Sequence, residues 1–131
     1  MPINLKIIHV HEFLKVSADG QLDLEGSKEL LLEIASASSA HLADHEIIID
    51  IRKMQSKFST TDLWYLAAEL GNLRKNFSRK TALVCLREDF DSAGFFALCA
   101  QNRGLQVMAF TSYEEAIEWL GAEVTPPMPN R

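Results

Sequence analysis

Ile47-Ile48-Ile49-Asp50-Ile51-Arg52 is the stretch on which the fold turns. A short continuous run of β-branched residues, with no polar residue between them, reads as a strand buried on both faces, as in a parallel sheet. Toward the C-terminus, a loop from Lys53 to Thr61 leads into Leu63, Leu66, Ala67, Leu70, Leu73 and Phe77. Their three- and four-residue spacing predicts an amphipathic helix, capped by Thr60 or Thr61, with Asp62 in the first turn where a negative charge suits the helix dipole. Thr81-Ala82-Leu83-Val84-Cys85-Leu86 is the next buried strand. A helix starting near Asp91 or Ser92 carries Ala93, Phe96, Ala97 and Ala100 on one face and stops at Asn102-Arg103-Gly104, Gly104 suiting a left-handed cap. Leu105 to Phe110 is the last strand. Ser112-Tyr113-Glu114-Glu115 is a capping box opening a helix whose inner face is Tyr113, Ala116, Ile117 and Leu120 and which ends at Gly121.

Toward the N-terminus, Leu30, Leu31, Ile34, Ala35 and Ala37 form another helical stripe, with Ser27 as its expected N-cap. Ser36-Ala37-Ser38-Ser39-Ala40 is a weak helix former, so that helix is expected to end or fray there. Leu5 to His11 and Phe13 to Ala18 read as strands, and Asp19-Gly20 as a turn. Strands paired at the start and alternating with helices thereafter predict an α/β fold: a mixed sheet of about five strands, largely parallel, with four helices.

The chain has 131 residues, 47% hydrophobic and 24% charged, which suits one domain over residues 1–123 followed by a flexible tail, 124–131. A formal net charge of −5 opposes nucleic-acid and anionic-membrane binding. No run approaches the ~20 apolar residues of a membrane span. Met1 to Lys6 has no charged segment leading into a long apolar run, so no signal peptide is expected and the cytoplasm is the expected location. Cys85 and Cys99 sit in apolar stretches and read as small buried core residues.

The order of elements, together with particular residues, resembles the STAS superfamily, in its bacterial SpoIIAA-like branch of anti-anti-sigma factors. Phe13-Leu14-Lys15-Val16-Ser17-Ala18-Asp19-Gly20-Gln21-Leu22-Asp23-Leu24 is similar to the family's opening strand followed by Gly-x-Leu-Asp and a helix. Ile47 to Arg52 is similar to its central strand, and Asn102 through Leu120 to its closing helix, strand and helix. The resemblance spans roughly residues 3 to 121. It implies a non-catalytic regulatory module that binds another protein, such as a kinase-type anti-sigma factor. In phosphorylatable members, the loop after the central strand carries Asp-Ser-Ser-Gly-Leu, whose first Ser is phosphorylated by the partner kinase. An ungapped count from Asp50 sets Phe58 at that Asp, Ser59 at the phosphoacceptor, Thr60 at the next Ser and Thr61 at the Gly. The hydroxyl is retained and the Asp and Gly are not. The candidate docking residues are therefore Asp50, Phe58, Ser59, Thr60, Thr61, Asp62, Trp64 and Tyr65, with Ser59 the candidate phosphoacceptor; helix capping alone also accounts for the hydroxyls.

A second reading, a lipid or small-molecule binder of CRAL-TRIO-like character, rests on a distant fold likeness and on the apolar pairs Phe95-Phe96 and Trp64-Tyr65. An apolar pocket of ~300 Å³ or more would favour it. A homodimer is the third reading. No Gly-x-Ser-x-Gly elbow, phosphate loop or dinucleotide fingerprint is present, so no catalytic residue and no cofactor is expected. His9 and His11 share a strand face, and His41 and His45 are four apart; without the glutamate of a zinc-protease motif they read as solvated side chains rather than metal ligands. Arg74, Lys75, Arg79 and Lys80 read as a solvated basic face.

Overall fold

The computed structural model describes residues 4–10, 13–21, 23–40, 46–55, 58–73, 75 and 80–121. The elements run β1 (Asn4–Val10), β2 (Phe13–Gly20), α1 (Leu24–Ala40), β3 (Glu46–Met54), α2 (Thr60–Asn72), β4 (Thr81–Val84), a 3-10 turn (Arg87–Asp89), α3 (Phe90–Gln101), β5 (Val107–Phe110) and α4 (Tyr113–Gly121). The five strands lie side by side in chain order. β1 is antiparallel to β2, while β2, β3, β4 and β5 are parallel to one another. This is the predicted mixed α/β sheet with four helices.

Each parallel step moves one strand further in the same direction, so crossovers of one hand carry α1, α2 and α3 to the same face of the sheet. The alternation of side chains in β3 divides its residues between two layers. Ile47 and Ile49 join Val16, Leu83 and Val107 beneath α1, α2 and α3, which contribute Leu30, Leu31, Ile34, Leu66, Leu70, Ala97 and Ala100. Ile48 joins Ala82 and Val84 beneath Ala116 and Leu120 of α4 on the opposite face. The continuous apolar run thus touches both layers, as β4 does through Leu83 on one face and Ala82 and Val84 on the other.

Several local expectations change. Asp19 and Gly20 belong to β2 rather than to a turn beyond it. Gly20 has the positive φ expected of it (103°), yet it pairs with Met54, and its carbonyl accepts the Gln55 N–H at 2.8 Å. Ser27 does not cap α1. Asp23 does, its carboxylate accepting the Gly26 N–H at 2.8 Å, which leaves Ser27 buried in the first turn. α1 continues through Ala40, because packing of Ile34 and Ala35 outweighs the low propensity of the serines that follow. α2 is capped by Ser59, not by Thr60 or Thr61, and ends at Asn72; β3 runs on through Lys53 and Met54, so the loop is shorter than expected. β4 stops at Val84, β5 begins at Val107, and the 3-10 turn precedes α3, which starts at Phe90. Gly104 has φ 88° at the predicted helix stop. Cys85 is buried, whereas Cys99 is only half-buried. Arg74, Phe77, Arg79, His11, His41, His45 and the segment 124–131 lie outside the described residues.

Candidate functional site

The start of α2 is held by a reciprocal pair. The Ser59 Oγ accepts the Asp62 N–H at 3.0 Å, and an Asp62 carboxylate oxygen accepts the Ser59 N–H at 3.2 Å. A hydroxyl followed three residues later by an acid satisfies two otherwise unpaired backbone donors. Ser59, Thr60 and Thr61 are exposed. With Leu63, Leu66, Ala67 and Leu70 facing inward, helical geometry turns Trp64 and Tyr65 outward, where they are 48% and 51% exposed. Their rings meet edge to face at 5.4 Å, and the Arg103 guanidinium lies 4.8 Å from the centre of the Trp64 ring. Thr60, Thr61, Trp64, Tyr65 and Phe95 of α3 border a hollow of about 280 Å³.

Two of the residues expected in this site lie apart from that exposed group. Phe58 is half-buried and packs against the core beneath α1 and α2. Asp50 follows Ile48 on the α4 face of β3, where Arg52 holds it with two side-chain hydrogen bonds of 2.9 and 2.8 Å, and the Arg52 N–H adds a third at 3.1 Å. Burial raises the pKa of the Asp50 carboxyl, but those hydrogen bonds and the charges of Arg52 and Lys15 outweigh it and hold the group below its ordinary value. Lys15 Nζ and the Arg52 guanidinium both face the Tyr113 ring, at 4.7 and 5.8 Å from its centre. Asp50 shapes this charged cluster on one sheet face while Ser59 opens a helix on the other.

The layer between α1, α2, α3 and the sheet contains a cavity of about 280 Å³. Its walls are mostly apolar, among them Leu30, Ile34, Ile49, Met54, Phe58, Leu66, Leu83 and Phe96. Of the two apolar pairs read from the sequence, Phe95-Phe96 and Trp64-Tyr65, only Phe96 lines this cavity. Ser27, α1 and the 3-10 turn mark the C-terminal edge of the parallel strands, and Thr81 begins β4 at the other edge, so the space runs along the strand direction. The hydroxyls of Ser27 and Thr81 are buried without a hydrogen-bond partner. Leaving such a group unpaired costs about 1–3 kcal/mol. Ser27 was the sequence signal for this cavity, a lone polar residue in register with Leu30, Leu31 and Ile34, and its resemblance to a cap concealed it.

Burial and, less strongly, the Asp89 charge push the Cys85 thiol up to about 11, which keeps it protonated and unreactive near neutral pH. Lys80 is not a solvated cation: its Nζ donates to the Trp119 carbonyl at 2.8 Å and sits 5.2 Å from the Trp119 ring centre. Among the described residues, no three His, Cys, Asp or Glu side chains come together as a metal site. No described helix is long and apolar enough to cross a membrane.

No family profile matches the chain, and no curated protein matches it in sequence. Solved structures do match it. A protein of the DUF3478 family from Shewanella loihica PV-4, with a SpoIIAA-like fold, is 20% identical, with a TM-score of 0.59 over 90% of this chain and 93% of that one. An anti-sigma factor antagonist from Mycobacterium paratuberculosis is 15% identical, with a TM-score of 0.60 over 91% of this chain and 94% of that one. The anti-sigma factor antagonist SpoIIAA in its unphosphorylated form is 18% identical, with a TM-score of 0.54 over 88% and 96%. Strand order, helix placement and these superpositions agree that the chain has the SpoIIAA-like fold.

Proposed function

We propose that this chain is a non-catalytic regulatory module that binds another protein through the exposed start of α2. The observation that carries the reading is the adjacent exposure of Trp64 and Tyr65 beside the Ser59 cap. Large aromatics dominate binding energy at protein interfaces, and Trp64 and Tyr65 each leave about half of their surface open to solvent. The fold likeness to anti-sigma factor antagonists supports a kinase-type anti-sigma factor as the partner class and Ser59 as the residue such a kinase would modify. A phosphate on Ser59 would displace the Asp62 carboxylate from the cap and add about −2 charge to the docking surface. The test is binding of purified anti-sigma factors of the host organism by biolayer interferometry. Trp64→Ala is expected to weaken binding by about 30-fold, as loss of an interface anchor does. Ser59→Asp is expected to weaken it more than Ser59→Ala. Equal binding by all three variants and wild type would overturn the proposal, as would no binding to any anti-sigma factor.

A second reading is favoured by the apolar cavity with its two unpartnered hydroxyls: the chain also binds a small apolar molecule there.

A further inference from the structure

The cavity beneath α1 carries information about the chemistry of its occupant. We infer that it takes a single apolar chain or ring system of roughly a dozen carbon atoms, about twice the size of the benzene that a ~150 Å³ cavity admits, ending in an uncharged or cationic polar group and not in a carboxylate. The inference rests on reading the cavity as a ligand site.

The polar end is assigned from the mouth. Ser27, Glu88, Asp89 and Ser92 line the cavity at the C-terminal edge of the strands. No lysine or arginine lines it among the described residues; Lys28, on α1, is engaged with Glu25 at 3.6 Å. The starts of α1 and α3 lie at the same edge and bring roughly half a positive charge each. Two whole carboxylates, on Glu88 and Asp89, outweigh them, so a ligand carboxylate entering here would meet like charge. An alcohol or an ammonium would not. Ser27 is 6% exposed and its hydroxyl is unpartnered, so it offers a hydrogen bond to the ligand's polar end, directly or through one water. Thr81, 1% exposed and equally unpartnered, closes the other end of the space.

The test uses the full chain and three ten-carbon probes that differ only at the head: 1-decanol, decylamine and decanoate. Each is titrated at pH 7 against bound 1-aminoanthracene, whose fluorescence reports displacement. Decanol and decylamine are expected to bind about tenfold more tightly than decanoate. Glu88→Gln combined with Asp89→Asn, both at the surface, is expected to close most of that gap. Ser27→Ala is expected to weaken decanol about fivefold, the loss of one hydrogen bond, and to leave 1-aminoanthracene unchanged. Ala93→Phe is expected to block all ligands; thermal unfolding separates that block from loss of fold, and Ser92→Trp, at an exposed lining position, supplies a second block outside the core. If neither 1-aminoanthracene nor any decyl probe binds, the cavity is not a ligand site. If all bind and decanoate binds as well as decanol, the site stands and the head-group inference is overturned.

Discussion

The two faces of the sheet are packed by different means. On the α4 face, the small residues Ala82 and Ala116 let the helix lie close, Ile48, Val84 and Leu120 fill the contact, and Lys15, Arg52 and Lys80 lay their cationic ends over Tyr113 and Trp119 at the margin. On the other face, three helices share a wider layer and leave about 280 Å³ unfilled among larger side chains. One helix can settle onto a sheet until its contacts close. Three helices tied to successive strands are spaced by the strands, and the gap between them is whatever their side chains fail to fill.

The largest test of that contrast is truncation on either side. Leu120→Ala is expected to cost about 4 kcal/mol, since a closed contact gains a new cavity, whereas Leu30→Ala, already beside open space, is expected to cost about 2 kcal/mol. Urea midpoints at unchanged slope measure both. Equal losses would mean that the cavity layer closes up in solution. Enlargement should run the other way. Ala116→Leu is expected to destabilise by about 1–3 kcal/mol through overpacking, and Ala93→Leu, at the cavity wall, to be neutral or to stabilise.

Two serines sharpen the comparison further. Ser59→Ala removes a cap and is expected to lower stability by about 1 kcal/mol. Ser27→Ala removes a buried hydroxyl that has no partner and is expected to leave stability unchanged or raise it. Thermal unfolding of the two variants side by side checks this. A smaller loss belongs to the Asp50–Arg52 pair. Because Asp50 has a folded pKa below its unfolded value, its contribution is present above about pH 4 and lost as pH falls through the folded value. Partly exposed, it is worth less than about 1 kcal/mol. Asp50→Asn should therefore be slightly less stable than wild type at pH 7 and converge with it in acid, as measured by urea unfolding across pH.

Ile47-Ile48-Ile49 announced the central strand because no position in it is polar, and the stripe from Leu63 to Leu70 announced α2; that Trp64 and Tyr65 both turn outward came from the structure. Local patterns of this kind depend on neighbours within a few residues, which is why the element order could be read. Where they failed, the competing choice was local too: Asp23 and Ser27 were both eligible to cap α1, and Ser59, Thr60 and Thr61 to cap α2. A pattern of residue types does not rank such rivals; the backbone angle at which the chain enters the helix does.

The sequence by itself determined which residues are apolar, at what period, and hence the mixed α/β sheet, its four helices and a hydroxyl-rich start to α2. Only the tertiary structure decided that Asp50 and Ser59 lie on opposite faces of the sheet, that Lys80 is spent on Trp119, and that a cavity with two unpaired hydroxyls opens beneath α1. The reason is physical. Periodicity reports which side of an element faces inward, while the volume left between three inward faces depends on strand spacing and side-chain fit that are set only when distant segments meet.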